Sequence, residues 1–480
     1  MAEREKGGAA MPAGDPGQTG TRAGSGSGTP GAPASSGAHG ASGVRERSGE
    51  PAGADLGRVG PPPGFGYRWT ICAMLFFATT VNYVDRQVFG ILAPVLQDEI
   101  GWTELQYGAI TSWFSFAYGF GFLAMGRILD RIGVRKGFSF GIVAWSLAAI
   151  GHAFASTAAG FSVARAALGL GESANFPGAI KTVAEWFPRQ ERALATGIFN
   201  AGSNVGAVIA PLTVPFIAVA WGWQWAFIIT GALGLLWLAA WLLVYRDPEE
   251  HPRVSAREMA WIRSDPVESE ASFPWLSLLT HRQTWAFVLG KFMTDPVWWF
   301  YLFWLPKFLD TEFNVTLVGL AAPLVAIYVV ADVGSVGGGW LSSALIKHGW
   351  TVNRGRKAAL LVAALVIVPT MLAPRAGSLW VAVSIVAVAA AAHQWWSANL
   401  FTTASDMFPR RAVASVVGLG GFAGAMGGVL FQRLVGYILQ VTNSNYSAVF
   451  TICGLAYVSA FLVIHMLSPR LRPARLEGEV

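Results

Sequence analysis

The 480-residue chain is poor in charge: only 13% of its residues are Asp, Glu, Lys or Arg, where a soluble domain carries roughly a quarter. Beside a hydrophobic fraction of 53%, that scarcity excludes an ordinary water-soluble enzyme, because the apolar surface exceeds what a water-facing fold can hide. Cysteine is scarcer still. Cys72 and Cys453 both lie in apolar runs, which excludes a disulfide framework or a cysteine metal cluster and leaves them as small core residues. The sequence has no phosphate-binding loop of the G-x-x-x-x-G-K type, which argues against ATP-driven work by this chain alone. A membrane-surface enzyme would need a nucleophile–base pair or a metal cluster, and neither is legible.

What is present is apolar length. The chain holds 21 Trp and 30 Phe at a mean hydropathy of +0.46, so lipid is the expected solvent for much of it. Residues 1–66 are the exception, with 18 Gly, 8 Pro and six basic residues cancelling six acidic ones. Such a composition cannot repay the entropy of ordering, and the segment reads as a disordered cytoplasmic tail outside the fold.

From Arg68 onward, stretches able to cross ~30 Å of hydrocarbon recur between short Gly, Pro and charge punctuation. Twelve are expected, near 68–97, 105–125, 138–157, 160–186, 192–219, 223–245, 284–310, 317–347, 357–374, 378–407, 412–439 and 445–467. The expected class is an all-α integral membrane protein of twelve transmembrane helices in two pseudo-symmetric six-helix bundles. The first bundle covers 67–246, a charged and Pro-containing cytoplasmic linker 247–283, the second bundle 284–468 and a cytoplasmic tail 469–480. Loops 2–3, 4–5, 8–9 and 10–11 carry twelve Lys/Arg, among them Arg127, Arg131, Arg135, Lys136, Arg356 and Lys357, against about three on the opposite side. That bias puts both termini and the linker in the cytoplasm of a multi-pass inner-membrane protein.

An internal repeat supports two halves. Pro94 matches Pro306 and Gly126 matches Gly338 at an offset of 212; after nine extra residues in the 8–9 loop, Arg135-Lys136 matches Arg356-Lys357, Phe187-Pro188 matches Phe408-Pro409, Gly197 matches Gly418 and Gly206 matches Gly427 at 221. Duplicated bundles keep loop and helix-end signals in register in this way.

The 2–3 loop reads GRILDRIGVRK from Gly126 to Lys136, with glycines for a tight turn and an acid able to meet a neighbouring helix N-terminus. It resembles the signature loop of the major facilitator superfamily. The resemblance implies a 6+6 arrangement, alternating access around a midplane site, and a cytoplasmic gate formed by Gly126, Asp130, Arg131, Gly133 and Arg135. The second copy has Ser342 and Ser343 where the Asp-Arg pair stands, so the latch is expected to be asymmetric. Within that superfamily, NYVDRQ from Asn82, the run from Arg165 to Pro177 with EWFP from Glu185, GKFMTDPVWWFYLFWLPK from Gly290 and HQWWSANLFTTASDMFP from His393 resemble the anion:cation symporters, and among them the bacterial hexuronate transporters. The resemblance implies a proton-coupled secondary transporter that imports an anionic sugar acid. It implies no cofactor beyond the proton gradient, and as partners a small organic anion, protons and the bilayer. Nucleic acid is not expected, and a monomer is.

Ionisable groups at membrane depth are costly and are functional candidates by default. Asp85 and Arg86 fall midway along the first span, about 100° apart on a helix; either they form a structural pair with other helices, or Arg86 binds a substrate carboxylate while Asp85 takes a proton, the division the resemblance supports. Arg165 and Glu172 lie seven apart on the fourth span, nearly on one face, with Gly169 expected to clear a path for the arginine. Burial penalises the charged form of a carboxyl lacking a cation, so Glu172 is the expected proton exchanger and Arg165 its modulator, with a static ion pair as the alternative. At the 221 offset Glu172 corresponds to His393, which either packs between helices or shares substrate and proton contacts; Gln394 and Asn399 add polar groups nearby. On the seventh span Lys291, Asp295 and Tyr301 accompany Trp298 and Trp299, a mixture suited to a polyhydroxylated anion, although Lys291 and Asp295 are spaced for a local pair. Pro296 is expected to break that helix. The resemblance also places Tyr83, Tyr118 and Asn200 near the site.

With Asp85 and Glu172 ionised, Arg86 and Arg165 are neutralised; protonation exposes their charge, making proton and anion binding mutually favourable, as symport requires. The paired arginines argue against a cationic drug as cargo. An aldonate, aldarate or dicarboxylate symporter, and a nutrient sensor that binds without flux, remain alternatives.

Overall fold

The computed structural model describes residue 64, residues 66–264 and residues 275–474; nearly all of the expected 1–66 tail, and the end of the chain from 475, lie outside the described residues. Among those described, every regular element is helical. The first half comprises α1 (Tyr67–Ile91), α2 (Ala93–Ile100), α3 (Glu104–Ile132), α4 (Val134–Gly151), α5 (Ala158–Glu172), α6 (Asn175–Trp186), α7 (Arg189–Trp221) and α8 (Trp223–Val244). A short linker helix, α9 (Ala256–Ile262), precedes the second half of α10 (Arg282–Phe303), α11 (Leu305–Phe313), α12 (Ala321–Lys347), α13 (Val352–Ile367), α14 (Leu379–Met407), α15 (Arg410–Val441) and α16 (Ser447–Leu467). Because Leu92, Ser173–Ala174 and Trp304 keep right-handed helical backbone, α1–α2, α5–α6 and α10–α11 each run on as one rod, and the described helices outside the linker form twelve rods.

Eight rods are long and apolar enough to cross a membrane by length and composition. The other four are α1–α2, α3, α5–α6 and α10–α11. Three of these carry Asp85, Arg86, Arg165, Glu172, Lys291 and Asp295; in α5–α6 the break leaves two helices of 15 and 12 residues, each too short alone. Apolar residues left exposed on the outside, such as Leu243 at 83% and Val336 at 77%, suit a lipid-facing belt.

Local chemistry sets the helix ends. Thr103 and Gln106 form a reciprocal capping box at the start of α3, satisfying two otherwise orphaned donors. Gly133, at φ 78°, turns the chain from α3 into α4, a conformation that favours glycine.

Glycine also sets how closely the rods pack. A Cβ on Gly206 of α7 would lie 2.5 Å from the Thr80 carbonyl oxygen of α1, and one on Gly427 of α15 would lie 2.2 Å from the Phe292 carbonyl oxygen of α10. Gly206 and Gly427 are repeat partners at offset 221, and Thr80 and Phe292 at offset 212, so the same close approach occurs once in each half. Phe292 O is also the carbonyl that Pro296 frees by having no N–H to donate. Pro296 does not break the helix as expected; α10 continues through it to Phe303, with Gly427 packed against the disturbed turn, and the rod breaks at Trp304 instead.

The halves pack through α3 against α15 and α7 against α12. One end of the bundle carries the basic loops around Gly133 and Arg354; it is called the basic end below. At the opposite, far end the halves are joined. Lys307 of α11 bonds Gln97 and Glu104, the Tyr107 hydroxyl donates to the Phe303 carbonyl, and Gly90 meets the backbone at Leu302.

Candidate functional site

Between the halves lies a cavity of about 560 Å³, within the range of small-ligand sites. Its lining runs toward the basic end as far as Ile180, Thr196, Phe401 and Val417, and the repeat-related Gly197 and Gly418 there have no atom near the position of a Cβ.

The first-half wall is built on Arg86. Its Nε and Nη2 both donate to Glu172 Oε2, at 2.9 and 2.8 Å, and Nη2 reaches Asn82 Oδ1 at 3.4 Å. The guanidinium lies over four rings, Tyr83, Tyr118, Phe114 and Trp299, at 4.7 to 5.6 Å, a cation–π cage. Arg86 is a lining residue, whereas Glu172 sits behind it and is fully buried. The second carboxylate oxygen, Oε1, has no hydrogen-bond partner.

Deeper still, Arg165 donates from Nη2 to the Arg86 carbonyl at 3.1 Å and packs against Phe89, Phe114 and Phe303 at 4.5, 5.1 and 5.3 Å. Its Nε and Nη1 are unpartnered. Asp85, 1% exposed, has no hydrogen-bond partner on either oxygen; the Thr230 hydroxyl is the polar group beside it. Two arginines and two carboxyls thus occupy one buried volume, and only Arg86 touches the cavity. The in-helix pairing of Arg165 with Glu172 suggested by their spacing is not what forms. Gly169 also does something other than clear a path for Arg165: a Cβ there would lie 2.4 Å from the Phe114 carbonyl oxygen, so this glycine lets α5 pack directly on α3.

The second-half wall carries Lys291, Asp295, Trp298, Trp299, His393 and Gln394. Lys291 Nζ lies 2.7 Å from Asp295 Oδ2, the local pair its spacing allows. The His393 ring stacks on Trp298 at 5.0 Å, and its Nδ1 is 2.5 Å from the Tyr457 hydroxyl.

Of the residues expected at the site, Tyr83, Arg86, Tyr118, Asn200, Trp299, His393 and Gln394 line the cavity, and Asp85, Arg165 and Glu172 lie behind it. Tyr301 and Asn399 do not line it. The Tyr301 hydroxyl faces Thr370 at 3.3 Å, and Asn399 donates to the Gly338 and Trp395 carbonyls at 3.0 Å, tying α14 to α12. Ser203, Asn204, Asp332 and Ser335 also line the cavity and were not expected from the sequence. Asp332 had a usable signal, an acid in an otherwise apolar span.

Of the residues expected at the gate, Asp130 and Arg135 bond within the first half. Asp130 pairs with Lys181 at 2.7 Å, and Arg135 donates to the Leu242 carbonyl at 2.9 Å. In the second half Arg356 bonds Ser342, the counterpart of Asp130, at 2.8 Å and Asp406 at 2.9 Å. The expected asymmetry takes this form: an acid–lysine pair on one side and a serine–arginine–acid chain on the other.

A family model described as Major Facilitator Superfamily matches residues 75–432. The hexuronate transporter of Escherichia coli (strain K12) is 30% identical over 406 residues, covering 83% of this chain and 93% of that protein. The galacturonate transporter of Dickeya chrysanthemi is 32% identical over 289 residues, covering 59% and 84%. Among solved structures, a D-xylose–proton symporter superposes with a TM-score of 0.68 at 15% identity, covering 86% of this chain and 100% of that one, a likeness of fold alone.

Proposed function

This chain belongs to the Major Facilitator Superfamily and is a membrane transporter rather than an enzyme, and from that premise we propose that it imports an anionic sugar acid, a hexuronate foremost, together with protons. The carrying observation is that Arg86, the one first-half cation on the cavity surface among the described residues, is held by a buried carboxylate, Glu172, rather than by solvent. The names of relatives that transport hexuronate and galacturonate support the choice of cargo.

The bias of Lys and Arg makes the basic end cytoplasmic, so the cavity faces the cytoplasm with the far end shut. A proton arriving at Glu172 neutralises the partner of Arg86. The freed guanidinium then receives the substrate carboxylate in its planar fork, and Tyr83, Tyr118 and Asn200 surround it with donors and acceptors. Arg165 fixes the backbone of Arg86 and keeps the neighbourhood positive. Asp85 makes no ion pair among the described residues and has only the Thr230 hydroxyl beside it, so a second proton can reside there without breaking a salt bridge. Proton and anion each raise the affinity for the other, which is the linkage symport needs. Trp298 and Trp299 offer flat apolar faces to the C–H side of a sugar, and His393 and Gln394 offer hydrogen bonds to its hydroxyls.

Thermal unfolding of the purified protein with galacturonate, glucuronate, galactonate or succinate tests the cargo, because a ligand that binds the folded state at 100 times its Kd adds about 2.7 kcal/mol of stability. A shift with a hexuronate is expected, and no shift with any sugar acid would overturn the reading. Uptake into proteoliposomes separates a transporter from a sensor that binds without flux.

A further inference from the structure

Among the described residues, four charged side chains line the cavity: Arg86 from the first half and Lys291, Asp295 and Asp332 from the second. Lys291 is already matched by Asp295 at 2.7 Å and its ammonium lies 4.4 Å from the centre of the Phe401 ring, a buried and specified position. Asp332 projects from the apolar helix α12, partly exposed to the cavity, and takes part in no ion pair among the described residues. Ser335, one turn further along α12, lines the same wall. The second-half wall therefore carries a net charge of minus one, and its remaining polar groups are uncharged hydrogen-bonders.

The walls are electrostatically unlike. Once Glu172 is protonated, Arg86 is the single cavity-lining cation without an anion among the described residues, so the cavity offers one place for a carboxylate. At the other wall a second carboxylate meets Asp295 and Asp332, whereas hydroxyl groups find acceptors there. We propose that Asp332, together with Asp295, makes this wall accept hydroxyls and repel carboxylate, so that the site selects singly charged polyhydroxy acids over their dicarboxylic counterparts. The inference rests on the sugar-acid reading above and narrows its cargo. Selection of this kind works by building repulsion against the wrong ligand rather than new attraction to the right one. The competing arrangement, in which Lys291 leaves Asp295 to bind a second carboxylate, predicts the opposite preference.

The test uses the full chain in proteoliposomes, reading exchange of labelled galacturonate against unlabelled galacturonate and galactarate. A unit charge several ångströms from Asp332 in a partly wet cavity predicts that galactarate competes more weakly by on the order of tenfold. Asp332→Asn should narrow that ratio about threefold or more, and Asp332→Ser should do the same, guarding against a fold-specific effect of the asparagine. Equal or tighter competition by galactarate in the unaltered protein overturns the inference while leaving sugar-acid transport standing, as does an unchanged ratio in both Asp332 variants. Absence of any galacturonate exchange overturns the underlying reading and the inference with it.

Discussion

Arg86 and Glu172 meet through a single carboxylate oxygen: both guanidinium nitrogens, at 2.8 and 2.9 Å, reach Oε2, and Oε1 is buried without a partner. Arginine and carboxylate frequently use both oxygens in a parallel fork, and this pair does not. The arrangement here leaves one oxygen able to take a proton and one guanidinium nitrogen, Nη1, outside the hydrogen bonds that hold the pair. In the proposed mechanism it ties the charge of the cavity wall to the protonation of a group the cavity does not touch.

Arg86→Lys keeps the charge and loses the fork, so carboxylate binding should weaken by about 2 kcal/mol, roughly 30-fold. Arg86→Ala should also destabilise the folded protein by about 3–5 kcal/mol, because it strands a buried carboxylate. Adding Glu172→Gln to Arg86→Ala should recover most of that loss in thermal unfolding. Strict additivity of the two changes would mean that the groups are not coupled.

The far end is held by Lys307 with Gln97 and Glu104. Glu104→Gln removes the counter-charge and should shift population toward a far-end-open state by about 1–2 kcal/mol, roughly a five- to thirtyfold change in the equilibrium. Spin-label distances between positions 98 and 310 should lengthen in that variant. Asp130→Asn breaks a pair confined to the first half and should leave those distances as they are.

Gly206→Ala and Gly427→Ala each push a methyl into a backbone carbonyl of the facing helix and should cost about 1–3 kcal/mol of stability. Gly197→Ala and Gly418→Ala, whose added methyl meets nothing within 4 Å, should not lower Tm. Similar losses at all four positions would show that helix flexibility, not close packing, explains the glycines.

The linker is clasped to the first half. Glu258 accepts from the Tyr67 and Arg68 backbone amides at 3.1 and 3.0 Å, and Arg68 also reaches Glu191 at 2.8 Å. Beside them the His251 ring lies tilted against that of Tyr67, centroids 4.1 Å apart, and burial, with Arg246 and Arg253 adding to it, holds its pKa below the usual 6.5. A histidine depressed in this way contributes stability above the unfolded-chain value, and that contribution is lost as pH falls below it through the folded value. Linker protection in hydrogen exchange should therefore drop between pH 7 and 5 in the unaltered protein and be pH-insensitive in His251→Phe over that range.

Rod positions, the repeat and the deep charges were legible because each leaves a local trace: apolar length, offset glycines and prolines, and ionisable residues where lipid forbids them. Pairing was not. Whether Glu172 meets Arg165 or Arg86 depends on the rotation of α5 against α1, which is set by tertiary contacts such as Gly169 on Phe114. Tyr301 and Asn399 share a helix with true lining residues, yet a half-turn of rotation delivers them to Thr370 and to the Gly338 carbonyl. Asp332 escaped notice because its repeat position, 120, holds a phenylalanine and no helical neighbour pairs with it, so only its cost in an apolar span marked it.

The proposed link between proton and anion rests on Glu172, and Glu172→Gln in proteoliposomes tests it most directly. With an inward proton gradient the variant should fail to accumulate galacturonate while still exchanging internal for external galacturonate at equal pH. Accumulation at the unaltered protein's level under that gradient would contradict it.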